Sequence, residues 1–208
     1  MSSLERLFRA IAAGDRALSS KLLAATPALA TDAARFGATR QDESPFLAAI
    51  GLHVYAGETA LHVASAAHDP IMVRQLLALG ADPMAINRRK ATPLHRASVG
   101  NPDSSRWDPS AQAETIGLLI DAGAHANAAD MDGATPLHRA VRTRCSAAVN
   151  ALIAHGAEVE KTNRSGSTPL RLALHTTGRG GSGSPSARLE QAEIIRLLLA
   201  HGARPLSS

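Results

Sequence analysis

The chain has 208 residues, 45% of them apolar but only 2% aromatic, with 22 Lys and Arg against 18 Asp and Glu for a net charge of +4. That is material for one domain or two small ones, with a core resting on Leu, Ile, Val and Ala; it excludes wholesale disorder and suits tightly stacked helices better than a β-sandwich. A single cysteine, Cys145, excludes an internal disulfide framework and a multi-cysteine zinc module, and the modest positive excess permits an acidic or nucleic-acid partner without demanding one.

In chain order, the first seventeen residues carry Glu5, Arg6, Arg9 and Asp15 among their apolar positions. This is an amphipathic helix pattern and not the apolar stretch of a secretory signal. No run of about 18 apolar residues follows anywhere, so no membrane span is expected. The expectation is a cytoplasmic, reducing compartment; secretion by a signal-less route would leave the same sequence. Residues 30–54 form the first long interruption and contain Pro45-Phe46-Leu47-Ala48-Ala49-Ile50. They are read as an elongated finger with a short helix, or else as a mobile surface loop.

From residue 59 a tetrapeptide recurs: Thr59-Ala60-Leu61-His62, Thr92-Pro93-Leu94-His95, Thr135-Pro136-Leu137-His138 and Thr168-Pro169-Leu170-Arg171. The steps are 33, 43 and 33 residues, and each segment closes on a Leu-rich stretch ending in Gly-Ala. From each Thr to that Gly the distances are 21, 31, 21 and 34, so the second and fourth segments carry insertions. Thr is a good N-cap, Pro at the first helical position loses no hydrogen bond, and Gly tolerates the left-handed residue past a helix end. Leu137, Ala140 and Val141 then share one face of a first helix, and Val149, Leu152 and Ile153 lie on a second. Asp130-Met131-Asp132-Gly133 reads as the turn between units. One such pair of short helices cannot bury enough surface alone, whereas five stacked pairs share a continuous core.

Motif, period and closing glycine together resemble the ankyrin repeat. The long insertions and the Ala/Arg-rich composition look like bacterial members of that family. The four signature segments cover about three quarters of the chain. A degenerate fifth fits at the front, where Leu7, Ala10 and Ile11 align with Leu61, Ala64 and Ser65. The resemblance implies an all-α solenoid of about five helix-turn-helix units in one domain spanning 1–205, with units near 3–29, 55–84, 88–126, 131–159 and 164–205. Insertions fall near 30–54, 100–110 and 177–187, the last two between the helices of alternate units and on one edge of the stack. Both rejoin the pattern through Gln-Ala-Glu, at Gln112 and at Gln191. The resemblance also implies a structural role for His62, His95 and His138, whose imidazoles tie a helix start to neighbouring backbone.

Chemical motifs are sparse. Gly178, Gly180 and Gly183 match a dinucleotide fingerprint as a string, but a helix precedes them and no strand-helix-strand unit surrounds them, so a flexible loop is expected, or a phosphate nest with Arg179. The nine histidines lack the i, i+4 pairing of helical metal ligands, and no metal or other cofactor is expected. Cys145 follows Arg142 and Arg144 but has no evident base, so it reads as a small buried thiol, with a redox role as the alternative. No catalytic residues are assigned.

The positive lead is basic. The family resemblance implies that partners bind on the turn fingers and first helices, which line a concave face. In that register Arg88, Arg89 and Lys90 share one finger, Met131 and Arg164 sit on later ones, and Arg96, Arg139, Arg142, Arg144 and Arg171 lie on or just after first helices. Glu58, Asp130 and Asp132 are the few acids among them. Lys90 stands where glycine is usual, which loosens the expected geometry of that finger. Trp107, the single tryptophan, is either an interface anchor or a cover for its own unit. The expected function is non-enzymatic binding of another protein with an acidic surface, through Arg88, Arg89, Lys90, Arg96, Trp107, Met131, Arg139, Arg142, Arg144 and Arg164. Nucleic-acid or phosphate-ligand binding by the same arginines is the alternative, disfavoured by the lack of interleaved aromatics. An enzyme with an unrecognised site at the insertions comes third. Partner identity and oligomeric state are not written in the pattern.

Overall fold

In each signature segment the threonine opens a helix, because its hydroxyl and the histidine three residues on satisfy each other's backbone. Thr59 Oγ1 accepts from the His62 N–H while His62 Nδ1 accepts from the Thr59 N–H, and Thr135 and His138 do the same. A computed structural model describes residues 1–39, 46–175 and 184–205. Among them are ten α-helices: α1 Ser3–Ala13, α2 Arg16–Ala25, α3 Ala60–Ala66, α4 Pro70–Ala78, α5 Pro93–Ala97, α6 Pro109–Asp121, α7 Pro136–Arg142, α8 Ser146–Ala154, α9 Pro169–Leu174 and α10 Pro185–Ala200. Consecutive helices pair within a unit, and the first helices of successive units pack side by side, as do the second helices from α4 onward. The fold is the expected all-α solenoid of five helix pairs. No helix among the described residues is long and apolar enough to cross a membrane.

The repeat places the same residue at the same depth in each layer. Leu61, Leu94, Leu137 and Leu170 are fully buried from the first helices, and Leu76, Leu119, Leu152 and Leu198 meet them from the second. Burying one such side chain contributes about 2 kcal/mol. Ala64, Ala97 and Ala140 are equally buried and leave room for neighbouring helices to approach. The second helices end on Gly80, Gly123, Gly156 and Gly202, with φ between 82° and 103°, and the next alanine N–H returns to a leucine carbonyl, as from Ala124 to Leu119 at 2.9 Å. That left-handed cap is why the closing Gly-Ala recurs.

The front interruption adds the one sheet seen among the described residues. β1 (Phe46–Leu47) pairs antiparallel with β2 (Leu52–His53) across a single 3₁₀ turn at Ala48–Ile50. A 3₁₀ turn therefore stands where a short helix is expected. Leu47, Leu52 and Val54 fold back into the same core as Leu7, Phe8 and Ile11, while Phe46 stays outside and stacks on His53 at 4.6 Å. Residues 40–45 of this interruption lie outside the described residues. So do 176–183, which hold Gly178, Arg179, Gly180 and Gly183 of the third insertion.

Candidate functional site

Between units the chain makes a finger that turns on a side-chain oxygen. Asn87 Oδ1 accepts the N–H groups of Arg89 and Ala91 at 2.8 and 3.0 Å, Asp130 Oδ1 those of Asp132 and Ala134 at 2.8 and 3.0 Å, and Asn163 Oδ1 those of Ser165 and Ser167, both at 3.0 Å. Each turn needs a left-handed residue three positions later. Gly133 and Gly166 supply it at φ 69°, and Lys90 supplies it at φ 56°. Lys90 therefore keeps the finger geometry, its N–H donating to the Asn87 carbonyl at 2.8 Å, at a conformational cost of about 1 kcal/mol. Backbone bonds tie finger to finger: Arg88 N–H to Ala56 O at 2.8 Å, Met131 N–H to Arg89 O at 2.8 Å, and Arg164 N–H to Asp132 O at 3.0 Å. This row leaves Arg88, Lys90, Met131 and Arg164 exposed.

The carboxylates among these cations are each held by one arginine. Arg96 Nε donates to Glu58 Oε1 at 3.0 Å, its Nη2 reaches the same oxygen, and Asn87 Nδ2 adds a third bond at 2.6 Å. Arg139 meets Asp130 Oδ2 through Nε at 3.1 Å and through Nη2. Both carboxylates are buried and both guanidiniums are mostly covered. Burial opposes the charged form of Asp130, but Arg139 and the two turn N–H groups outweigh it and hold its pKa below the usual carboxylate range. Arg89 pairs with exposed Asp132 at 2.9 Å, and Arg88 and Arg96 flank the Tyr55 ring at 4.9 and 5.4 Å. The fingers and first helices thus contain two classes of arginine, those anchored on buried carboxylates and those left toward solvent.

The remaining candidates gather where the insertions meet. Asp103, in the loop between α5 and α6, accepts hydrogen bonds from Ser184 Oγ at 2.5 Å and Ser186 Oγ at 2.7 Å, at the start of α10. These hydroxyls hold the Asp103 pKa low, more than the nearby charge of Arg144 does. Asp103 also lines a groove of about 1040 Å³, together with Arg89, Arg139, Arg142, Arg144, Asp132, His175, Gln191 and apolar residues including Val141 and Leu172. Arg142 is exposed, and Arg144 is buried. Trp107 lies half-buried over its own unit, Nε1 donating to Gln112 Oε1 at 2.8 Å. Gln112 Nε2 and Gln191 Nε2 donate back to the first-helix carbonyls of Ala97 and Ala173 at 2.9 and 2.6 Å, which explains why both insertions rejoin on the same residues. Cys145 is buried beneath the Arg144 turn, and burial pushes its thiol up to about 11 despite its arginine neighbours in sequence.

The three histidines are engaged on both ring nitrogens. Nε2 of His62, His95 and His138 reaches the next unit's backbone at Ala91 O, Ala134 O and Ser167 O, at 3.1, 3.0 and 3.0 Å. Burial lowers the pKa of all three, that of His95 to about 4. In the fourth signature unit Arg171 takes the histidine's place and is exposed. Among the described residues no group of three or more His, Cys, Asp or Glu side chains could hold a metal ion.

Sequence reasoning missed the contribution of the last unit, His175 and Gln191, and of Asp103, because nothing local marks residues such as Asp103 and Ser184, 81 positions apart, as neighbours. The pairing of Arg139 with Asp130 did carry a signal, an acid at the turn and an arginine four residues after the capping threonine.

Residues 110–208 match a family model described as ankyrin repeats in three copies, and residues 56–88 match the ankyrin repeat model itself. Over 105 residues the chain is 32% identical to NF-kappa-B inhibitor delta of Mus musculus, and over 104 residues 31% identical to the B-cell lymphoma 3 protein homolog of Mus musculus. Each match takes in 50% of this chain but only 29% and 22% of those two proteins, so the chain spans less than a third of the curated relatives it matches.

Proposed function

The chain belongs to the ankyrin-repeat family, and from that premise we propose that it is a non-enzymatic protein-interaction module that takes an acidic partner surface on its finger-and-first-helix face. The observation that supports this is a surplus of positive charge. Eight of the candidate residues are cationic, Arg88, Arg89, Lys90, Arg96, Arg139, Arg142, Arg144 and Arg164, and the carboxylates described against them are Glu58, Asp103, Asp130 and Asp132. The stacked helices and bonded fingers hold this surface in place before a partner arrives, so little ordering entropy is lost on binding. Guanidiniums take carboxylates with two parallel hydrogen bonds, which favours acidic protein over neutral. One relative's name states inhibition of NF-kappa-B, which supports action by contact; the match covers too little of that protein to carry its target here.

Affinity capture with the whole chain, followed by identification of the bound protein and titration with it, tests the reading. The double variant Arg89→Glu and Arg142→Glu is expected to weaken that binding at least about tenfold with an unchanged helical spectrum. Unchanged affinity for every captured partner would reject the assigned face. Tight, steeply salt-dependent binding to random duplex would instead favour nucleic acid as the ligand.

A further inference from the structure

The turn after the first helix of a unit needs a left-handed residue, and three units display it. Unit one uses Gly14 at φ 76°, unit two His68 at φ 51°, and unit four Arg144 at φ 57°. In each, the backbone closes the same way, with the next N–H returning to an alanine carbonyl: Asp15 to Ala10, Asp69 to Ala64 and Cys145 to Ala140, at 2.9, 3.1 and 3.0 Å. Glycine is the unstrained choice at such a position. His68 compensates by bonding into the next unit, Nε2 meeting Ala97 O at 3.1 Å and Val99 O at 3.0 Å.

Arg144 has no such compensation. Its residue is 8% exposed, and Nη1 is shut from solvent with no hydrogen-bond acceptor. Asp103 acts on it through space, its Oδ1 accepting the two serine hydroxyls, and no ion pair joins the two among the described residues. A guanidinium so enclosed is costly without a counter-ion. The fold thus spends a strained backbone position and an unmet buried N–H group on one side chain, and that side chain lines the groove beside Asp103. Strain and an unmet polar group at the same residue point to use rather than to stability.

We propose that this groove is a subsite for a carboxylate, an Asp or Glu side chain of an acidic partner segment, and that Arg144 is the group that receives it, with Arg142 and His175 beside it at the wall. The proposal rests on the reading of the chain as a binder of acidic protein, and it adds the place where a single acidic residue is read. The ligand is an oxyanion that brings the hydrogen-bond acceptor the Arg144 guanidinium lacks. A carboxylate fits the local charge better than a phosphoryl group, because Asp103 and Asp132 already lie in the same lining and would oppose a second negative charge.

The test uses the whole chain and an acetylated hexaglutamate peptide, followed by the fluorescence of Trp107, the single tryptophan, which sits in the insertion that forms one wall. Hexaglutamine and a hexaserine peptide with one phosphoserine serve as the other arms. Wild-type protein is expected to bind hexaglutamate at low salt and not hexaglutamine. Arg144→Gly is expected to fold with equal or higher thermal stability, since it relaxes the turn, and to lose more than about tenfold in affinity for the peptide. If Arg144→Gly binds like wild type while Arg88→Gln with Arg164→Gln abolishes binding, the subsite is wrong and the acidic-partner reading stands. Tighter binding of the phosphoserine peptide than of hexaglutamate overturns the carboxylate assignment. Absence of hexaglutamate binding to wild type overturns both.

Discussion

The seam between units two and four and the groove above the α7–α8 turn use the same residue types to opposite ends. At the seam each polar side chain of the signature is matched by the repeat itself: His95 closes on Thr92 in its own unit and on Ala134 O in the next. Arg96 and Arg139 there are spent on buried Glu58 and Asp130. In the groove the repeat is broken twice, by the insertions of units three and five, and the residue between them is left incomplete: Arg144 is covered, strained and without an acceptor for Nη1. The signature threonines and histidines find their partners because the neighbouring unit presents the same groups at the same height, while Glu58 Oε2, Ser65 Oγ and Thr115 Oγ1 are buried without one. An irregular position has no such guarantee.

The contrast is open to direct attack. The largest effect is expected in the seam core, where Leu137→Ala should cost about 3–4 kcal/mol in urea unfolding, because the packed layers above and below cannot collapse into the space. A loss below about 1 kcal/mol would mean that the layers do not share one core.

Acid comes next. The three seam histidines have pKa values lowered by burial, so the unfolded chain binds protons more readily than the folded one, and stability present above the ordinary histidine value near 6.5 is lost as pH falls from there through the lowered folded values, for His95 about 4. His95 alone should account for about 3 kcal/mol of that loss. Urea midpoints measured from pH 7 to pH 4 should fall steeply, and a His95→Gln variant, itself less stable at neutral pH, should show a shallower slope. A slope identical to that of wild type would mean that His95 titrates normally in the fold.

The smallest effect has the opposite sign. Lys90→Gly should raise stability by about 1 kcal/mol, since glycine adopts the φ of 56° freely and the finger's backbone bonds need no side chain. Destabilisation would show that the Lys90 side chain supports the finger.

Much of the fold can be read in the residues themselves. Thr-Pro-Leu-His supplies a cap, an N1 proline, a core leucine and a cross-unit tie within four residues, and Gly-Ala ends each second helix, so each unit announces both of its ends. The site was legible only in part. The arginines could be placed on fingers and first helices by their register, but a register position does not say whether a charge is already answered. Arg96 meets Glu58 from 38 residues away, and Arg89 meets Asp132 from 43. Trp107 could be assigned to an insertion but not to its seat on Gln112. Lys90 departs from the glycine rule in sequence, yet its turn keeps the geometry of Gly133 and Gly166, because the Asn87 bonds and the link to Ala56 hold the finger on both sides.

The chain by itself therefore determined the helix pairs, their caps, the five-layer stack and the register positions of the finger and first-helix cations, because all of these follow from interactions within a few residues, repeated at a constant period. Only the tertiary structure decided which of those cations are neutralised, that the two insertions join over the fourth unit through Asp103, Ser184 and Ser186, and that Arg144 is enclosed beneath them. Those outcomes depend on distances across three units of the stack, and electrostatic matching through space leaves no mark in local order.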